Sequence, residues 1–167
     1  MTRRGEQTRE RILSQATKLM ARQGFRATSV NDLVEATGVN RGSLYFHFPD
    51  KNAMGVAVLE RSGEQFLAFI QESLTGKGPG RQLENFFRAA LRVNESTGFI
   101  GGCLWGNTAM EMSDVEGHER FVEIVRDVFA AWMGMIEEVI AAAQQCGQVQ
   151  GDIPAAILAT HVVATIE

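Results

Sequence analysis

Apolar residues recur at helical spacing along almost the whole chain of 167 residues, and this periodicity limits the folds that the chain can adopt. Near the N-terminus, one helical face would carry Ile12, Leu13, Ala16, Leu19 and Met20. Runs of alternating β-branched residues between hairpin turns are missing from the sequence, so no strand is predicted. The sequence therefore predicts an all-α protein.

The chain can bury a core, because 45% of its residues are hydrophobic and only 22% are charged. This balance excludes the disordered class, which combines low hydrophobicity with high charge. Stretches without Asp, Glu, Lys or Arg, such as the one from Ile153 to Ile166, are shorter than the roughly 20 apolar residues that span a bilayer. The N-terminus lacks the apolar segment of a secretory signal. We expect a soluble, cytoplasmic protein without a membrane partner.

Charge is divided unevenly along the chain. Residues 1–51 carry nine Lys or Arg against five Asp or Glu, a net charge of +4, although the whole chain has a net charge of -4. The remaining 116 residues therefore carry a net charge of -8. A basic end on an acidic body is typical of a polyanion-binding head joined to a sensing or assembly domain.

Helix-start and helix-stop signals are dense in the first third of the chain. Ser29 and Asp32 have the spacing of a capping box, which predicts a short second helix that ends at Gly38. Asn40 is a good N-cap for a third helix, and Pro49 requires that helix to stop before it. A fourth, longer helix is predicted directly after this proline.

The segment from Leu33 to Lys51, LVEATGVNRGSLYFHFPDK, therefore predicts a helix-turn-helix, a unit that presents its second helix to the DNA major groove. Its turn and second helix read GVNRGSLYFHF, followed within three residues by Lys51. This pattern resembles the TetR family of transcriptional repressors, which typically has G-V-S-K-G-T-L-Y-x-H/Y-F followed by lysine. The departures at Asn40, Arg41 and Ser43 keep a helix cap, a cation and a hydroxyl.

The resemblance implies a fold and a function. It implies an N-terminal three-helix DNA-binding head, residues 1–51, joined through a long fourth helix to a helical ligand-binding and dimerisation body, residues 52–167. Such proteins bind a palindromic operator as homodimers, and a small-molecule inducer enclosed by helices four to seven releases them from DNA. The partners expected here are therefore double-stranded operator DNA, a second copy of the chain and a small apolar or electrophilic inducer.

Side chains of the predicted head supply groups that bind DNA. Helix N-terminal amides hold phosphates, cations and amides reach base edges or phosphates, and a glycine allows close approach to the groove. On these grounds the expected DNA contacts are Thr28, Ser29, Asn31, Asn40, Arg41, Gly42, Ser43, Tyr45, His47 and Lys51.

Aromatic and methionine side chains are frequent in the body, together with one cysteine. Such residues at helical spacing usually form the interior of a helical protein, but the same side chains could line an inducer cavity. The candidate ligand-binding residues are Phe66, Phe69, Phe86, Phe99, Cys103, Trp105, Met110, Phe121, Phe129 and Trp132.

The last predicted helix has no charged residue from Ile153 to Ile166, so it should be buried inside the fold or against a partner. We predict that it lies at a two-fold interface that includes Ile157, His161 and Val162. It shows no helix-stop signal before Glu167, so we expect the natural chain to continue beyond this residue.

The sequence lacks the patterns typical of enzymes that follow. No phosphate-binding loop, nucleophile elbow or metal-ligand spacing occurs, so no cofactor and no metal are predicted. The alternative from another class is a small thiol-dependent enzyme, similar to a peroxide reductase, that would use Cys103. At the start of a helix, Cys103 could have a lowered pKa and sense electrophiles, whereas its apolar neighbours favour a buried packing role. The second cysteine, Cys146, has less support as a sensor.

Overall fold

The computed structural model describes residues 3–96, 103–113 and 117–166. These residues form helices without a strand, which confirms the predicted all-α class. The helices are α1 (Arg3–Gln23), α2 (Val30–Thr37), α3 (Arg41–His47), α4 (Lys51–Ser73), α5 (Pro79–Ser96), α6 (Leu104–Met112), α7 (Glu119–Gln145) and α8 (Ala155–Ile166).

The helices belong to two compact units. The first unit contains residues 1–63 and 101–125, and the second contains residues 64–100 and 126–167. The first unit thus contains α6 and the start of α7 together with the three N-terminal helices. The sequence had predicted a domain boundary after residue 51. The functional division at that residue stays a prediction.

The first unit is built on α1, which packs against α2 and α6, while α2 packs against α3. The predicted face of α1 is confirmed in its central part, since Ile12, Leu13, Ala16 and Met20 are all buried. Leu44 anchors α3 in this core and is fully buried. The short helices of the head are therefore held by one apolar side each.

The second unit has a core of its own. Its buried residues are Ile70, Phe86, Trp132, Ile136, Ile140, Ala159 and Val163. Trp132 is the largest of these side chains, and Phe66 meets its indole edge-on at 5.0 Å between ring centroids. The middle of α7 thus provides the centre around which the second unit packs.

The described residues contain neither a membrane-spanning helix nor a metal-binding cluster. None of the described helices is both long and apolar enough to cross a membrane. The same ranges contain no group of three or more His, Cys, Asp or Glu side chains that could hold a metal ion.

Candidate nucleic-acid interface

A side-chain capping box fixes the start of α2, and a left-handed glycine fixes its end. The Ser29 backbone N–H donates to Asp32 Oδ2 at 2.8 Å, and the Asp32 backbone N–H donates to Ser29 Oγ at 3.1 Å, so the predicted capping box is confirmed. These bonds from Ser29 lower the pKa of Asp32 below its ordinary value because they stabilise the carboxylate. At the other end, Gly38 adopts φ +64°, the left-handed conformation that glycine reaches without strain.

The predicted cap of α3 is also confirmed. Asn40 Oδ1 accepts a hydrogen bond from the Ser43 backbone N–H at 2.7 Å. After His47 the chain turns to extended backbone at Phe48, which is buried. A helix of seven residues is too short to be stable alone in water, so this cap and the two buried apolar anchors hold α3 in its orientation.

With Leu44 in the core, the helical repeat decides what α3 presents outward. Each residue turns the helix by about 100°, so Gly42 and Phe46 point away from the head. Arg41 and Tyr45 share one flank of this outward ridge, while Ser43 and His47 share the other. The structure therefore brings five of the predicted DNA contacts onto the exposed side of α3.

Phe46 is the residue of this surface that the sequence reasoning missed. Its side chain is 80% exposed, more than the 42% of Tyr45. A signal was available, because a residue two positions from a core leucine must lie on the opposite helix face.

Arg41 and Asn31 meet at the edge of the same surface. Arg41 Nη2 donates to Asn31 Oδ1 at 2.5 Å, and both residues are exposed. The acceptor is a neutral amide, so this contact orients the guanidinium while leaving its positive charge uncompensated. The two residues, ten positions apart in the sequence, form one polar group at the junction of α2 and α3.

The structure corrects the prediction for Thr28. Its side chain is fully buried, and its hydroxyl donates to the Gly24 carbonyl oxygen at 2.7 Å. The hydroxyl thus stabilises the turn between α1 and α2 and is withdrawn from any DNA surface. Ser29, the next residue, is exposed and keeps the predicted place at the start of α2.

Lys51 is half-buried and points at the turn between α1 and α2. Its Nζ donates to the Arg26 carbonyl oxygen at 3.1 Å and lies 4.5 Å from the centre of the Phe25 ring. Burial lowers the pKa of Lys51, while the carboxylates of Glu111 and Asp32 oppose this shift. A phosphate contact by Lys51 stays a prediction, and such a contact would compete with these bonds.

Glu111, on α6, closes the same turn from outside the three head helices. Its Oε2 accepts hydrogen bonds from the backbone N–H groups of Phe25 at 2.9 Å and Arg26 at 3.1 Å. Its Oε1 occupies the space where a side chain at Gly24 would begin. We call Glu111, Gly24, Phe25, Arg26 and Lys51 the turn latch. No sequence signal pointed to it, because Glu111 lies 86 residues from Phe25.

The candidate ligand residues are divided between the two units. In the second unit, Phe66, Phe129 and Trp132 are in ring contact, with Phe129 stacked 6.2 Å from the indole. Phe69 packs against the same core, to which the buried Phe86 belongs.

The other candidates belong to the first unit or are not described. Phe121 packs against Phe25 at 4.9 Å between ring centroids, and Trp105 is also buried. Met110 is 83% exposed, so the prediction that it lines a cavity is wrong. Cys103 is the half-buried N-cap residue of α6 and provides no side-chain cap, whereas Cys146 is exposed. Phe99 lies outside the described residues.

The residues predicted for a dimer interface lie on α8. Ile157 and His161 are exposed, and Val162 is half-buried. Together with Leu83 and Phe87 of α5, the last two border an apolar groove of about 350 Å³. The face of α8 that carries Ala159 and Val163 is buried in the core of the unit.

Comparisons with known proteins agree with this geometry. Residues 12–58 match the family of bacterial regulatory proteins, tetR family, and residues 79–167 match the family of tetracyclin repressor-like C-terminal domains. The transcriptional repressor DhaR of Mycobacterium sp. strain GP1 is 28% identical over 159 residues, which cover 94% of this chain and 77% of DhaR. The transcriptional repressor NemR of Escherichia coli K12 is 31% identical over 110 residues, 65% of this chain and 55% of NemR.

Solved structures give the same result. The crystal structure of a TetR transcriptional regulator from Chloroflexus aurantiacus superposes with a TM-score of 0.85 at 29% identity, covering 99% of this chain and 83% of that one. These relatives are transcriptional regulators, and the comparisons do not favour the alternative of a thiol-dependent enzyme. The two family matches together span the head and most of the body. The chain belongs to the TetR family of bacterial transcriptional regulators.

Proposed function

We propose that this protein is a ligand-responsive transcriptional repressor that acts in the cytoplasm, binds a palindromic operator as a homodimer and leaves it when a small-molecule inducer binds. The observation that carries this proposal is the outward side of α3, where a capped helix presents a cation, a hydroxyl and aromatic groups to solvent. These groups match the donors and apolar surfaces that read the major groove.

Within the head, the contacts divide by chemistry. Arg41 can form two hydrogen bonds with a guanine edge, and its contact with Asn31 orients it. Ser29, at the N-terminus of α2, supports a phosphate contact because this helix end carries a partial positive charge. Tyr45 and His47, on opposite flanks of α3, are placed to contact the two sides of the groove.

The proposed dimer is required by the spacing of the two half-sites in a palindromic operator. Two heads read successive major grooves when their recognition helices are about 34 Å apart, and this spacing requires a dimer. The exposed apolar side chain of Ile157 and the groove beside Val162 support α8 as part of the interface. An apolar surface of this kind is usually covered by a protein partner.

The inducer proposal rests on the aromatic group around Trp132. The indole Nε1–H of Trp132 is buried and has no acceptor in the described residues. A buried donor without an acceptor costs about 1–3 kcal/mol, so an apolar inducer that carries a hydrogen-bond acceptor would gain a favourable contact there. An inducer releases DNA only through the difference in its affinity for the two states of the repressor.

The operator proposal is tested by selection of DNA sequences. The 167-residue protein is incubated with a randomised duplex library at about 0.1 M salt, and bound duplexes are amplified through several rounds. We expect a palindrome whose half-sites are about one helical turn apart. Arg41→Ala should weaken binding by about 5–150-fold per half-site and relax preference at one position of each half-site. Arg88→Ala, a surface arginine paired with Glu84 in the second unit, is the control and should bind normally. Enrichment of no sequence by a folded protein would refute the proposal.

The proposed phosphate contact of Lys51 has its own signature. Lys51→Ala should weaken binding to every duplex alike and reduce the slope of log K against log salt by about 1. An unchanged slope would mean that Lys51 serves the turn latch and does not contact DNA.

The dimer proposal is tested by sedimentation. Ile157→Glu should shift the protein from dimer to monomer, because a buried charge without a partner opposes association. Val93→Glu is a matched control, since Val93 is 47% exposed and Ile157 is 48% exposed. A dimer that persists in Ile157→Glu would place the interface elsewhere.

An electrophilic inducer is the second possibility for the ligand, favoured by the position of Cys103 at the start of α6. Helix N-terminal amides stabilise a thiolate, so Cys103 should react with iodoacetamide faster than free cysteine at neutral pH. Cys103→Ser should then bind the operator normally and resist release by the electrophile. Slow alkylation, or release of the Cys103→Ser protein, would leave Cys103 as a packing residue.

A further inference from the structure

The side chain of Phe46 stands at the outermost point of α3. Leu44 is fully buried, and Phe46 follows it by two residues, roughly 200° around the helix. Helical side chains lean towards the N-terminus, over the residue four positions earlier. For Phe46 this residue is Gly42, which has no side chain, and a Cβ there would come within 4 Å only of the Asn40 side chain. The helix surface at Gly42, one turn before Phe46, is therefore open.

The neighbours of Phe46 are polar on both flanks. Arg41 and Tyr45 lie on one side of the ridge, and Ser43 and His47 lie on the other. The His47 ring meets the Phe46 ring edge-on at 5.3 Å between centroids. A single exposed apolar side chain is ordinary on a protein surface. Phe46, however, is at the position of α3 that would enter the DNA major groove first.

A phenyl ring has neither donor nor acceptor, so it cannot bond to a phosphate oxygen or to a polar base edge. The C5-methyl of thymine is the apolar group that base edges present in the major groove, and aromatic side chains contact it. We propose that Phe46 packs against the C5-methyl of a thymine and thereby selects thymine at one position in each operator half-site. This inference rests on the proposed function, since it requires α3 to be the recognition helix.

The test removes one methyl group at a time from the DNA. Each thymine of the selected palindrome is replaced by deoxyuridine, symmetrically in both half-sites, and the Kd is measured at constant salt. Removal of a buried methyl should raise the Kd by about 4-fold per half-site and by about 15-fold for the pair. We expect this effect at one thymine position and little change at the others.

The protein variants assign the methyl contact to its residue. Phe46→Ala should bind the thymine and deoxyuridine operators equally, whereas Phe46→Leu should keep part of the difference. Tyr45→Ala, the neighbouring exposed aromatic, is the matched control and should keep the full difference while binding more weakly. All three changes are at exposed positions, and circular dichroism verifies that the variants remain helical.

Each outcome is decisive. A palindrome without thymine in its half-sites, a wild-type protein insensitive to every deoxyuridine, or a deoxyuridine effect that persists in Phe46→Ala would overturn the assignment while leaving the repressor proposal intact. In the last two cases the ring would instead contact deoxyribose or remain in solvent. Failure to select any sequence would overturn both proposals together.

Discussion

The two compact units are held together in different ways. In the first unit, polar atoms fix the ends of the short helices and the turn before them, in addition to apolar anchors such as Leu44: the Ser29–Asp32 capping box, the Asn40 cap and the carboxylate of Glu111. In the second unit, longer helices are held by an apolar core centred on Trp132. Hydrogen bonds are directional, whereas apolar packing depends mainly on volume and shape. Specific hydrogen bonds therefore position the unit that we propose to fit the DNA groove.

This difference fits the proposed division of DNA binding to the first unit and ligand binding to the second. A helix of seven residues such as α3 has its orientation set by its caps and anchors. An apolar core tolerates repacking if its volume is kept, which suits the region proposed to enclose a small molecule. The following variants test this contrast.

The largest effect is expected in the core of the second unit. Trp132→Ala removes a side chain that is almost fully buried and should lower the free energy of unfolding by about 3–5 kcal/mol, because it leaves a cavity. Urea denaturation measures the change. Phe87→Ala, which truncates a 45% exposed aromatic of the same unit, should cost about 1 kcal/mol or less. Similar losses in both variants would contradict a core centred on Trp132.

A second effect is expected in the turn latch. Gly24 has φ +84°, and a Cβ there would lie 1.8 Å from Glu111 Oε1. Gly24→Ala should therefore lower the free energy of unfolding by about 1–2 kcal/mol, because alanine is strained in this backbone conformation. A further loss of about 1–3 kcal/mol is expected because the displaced carboxylate no longer accepts from the two backbone N–H groups. Gly38→Ala, at φ +64° with nothing within 4 Å of its Cβ, should show the backbone cost alone.

Hydrogen exchange and a double-variant cycle identify the origin of the Gly24 effect. The amides of Phe25 and Arg26 should exchange faster in Gly24→Ala than in the parent protein, because their acceptor is displaced. In a Glu111→Ala background, Gly24→Ala should cost less than in the parent protein. Equal costs in both backgrounds would show that the two residues act independently.

A smaller effect is expected at the cap of α3, the proposed recognition helix. Asn40→Ala removes the acceptor of the Ser43 N–H and should destabilise the protein by about 1 kcal/mol. Operator affinity should fall as well, because the cap orients α3. Trp132→Ala, in contrast, should keep its operator affinity at temperatures where that variant stays folded. Asn52→Ala, an exposed asparagine at the start of α4, is the control. Unchanged stability in Asn40→Ala would mean that packing alone holds α3.

The smallest effect depends on pH. The pKa of Asp32 is lowered in the folded protein, first by the Ser29 backbone N–H and then by the Ser29 hydroxyl. The unfolded state therefore binds the proton more readily. The stabilisation by Asp32 is complete above the ordinary pKa near 3.8, and it is lost as the pH falls through the lower folded pKa.

Denaturation of the parent protein and of Asp32→Asn, followed between pH 7 and pH 2, measures this contribution. The parent should be more stable at neutral pH, and the difference should shrink in acid. Glu35→Gln changes another carboxylate of α2 and serves as the control. A difference between parent and Asp32→Asn that is constant over the whole range would contradict a role for the charged capping box.

Local chemistry determined much of the head. The cap of α2 joins residues three positions apart, and so does the cap of α3, so spacing and residue type are sufficient to predict them. The burial of Leu44 and the outward side of α3 follow from the 3.6-residue repeat once the helix start is known. Phe46 was therefore predictable from its position, although not from its residue type.

The tertiary structure alone decided the remaining features. Thr28 looked like a helix-start hydroxyl, yet its environment in the folded turn buries it against the Gly24 carbonyl. Glu111 reaches Phe25 across 86 residues, and Arg41 reaches Asn31 across a turn whose angle no local pattern specifies. Contacts of this kind depend on how helices pack, and packing is set by the volumes of many side chains at once. Spacing along the chain therefore predicts caps and helix faces, whereas the partners that meet between helices emerge only in the folded protein.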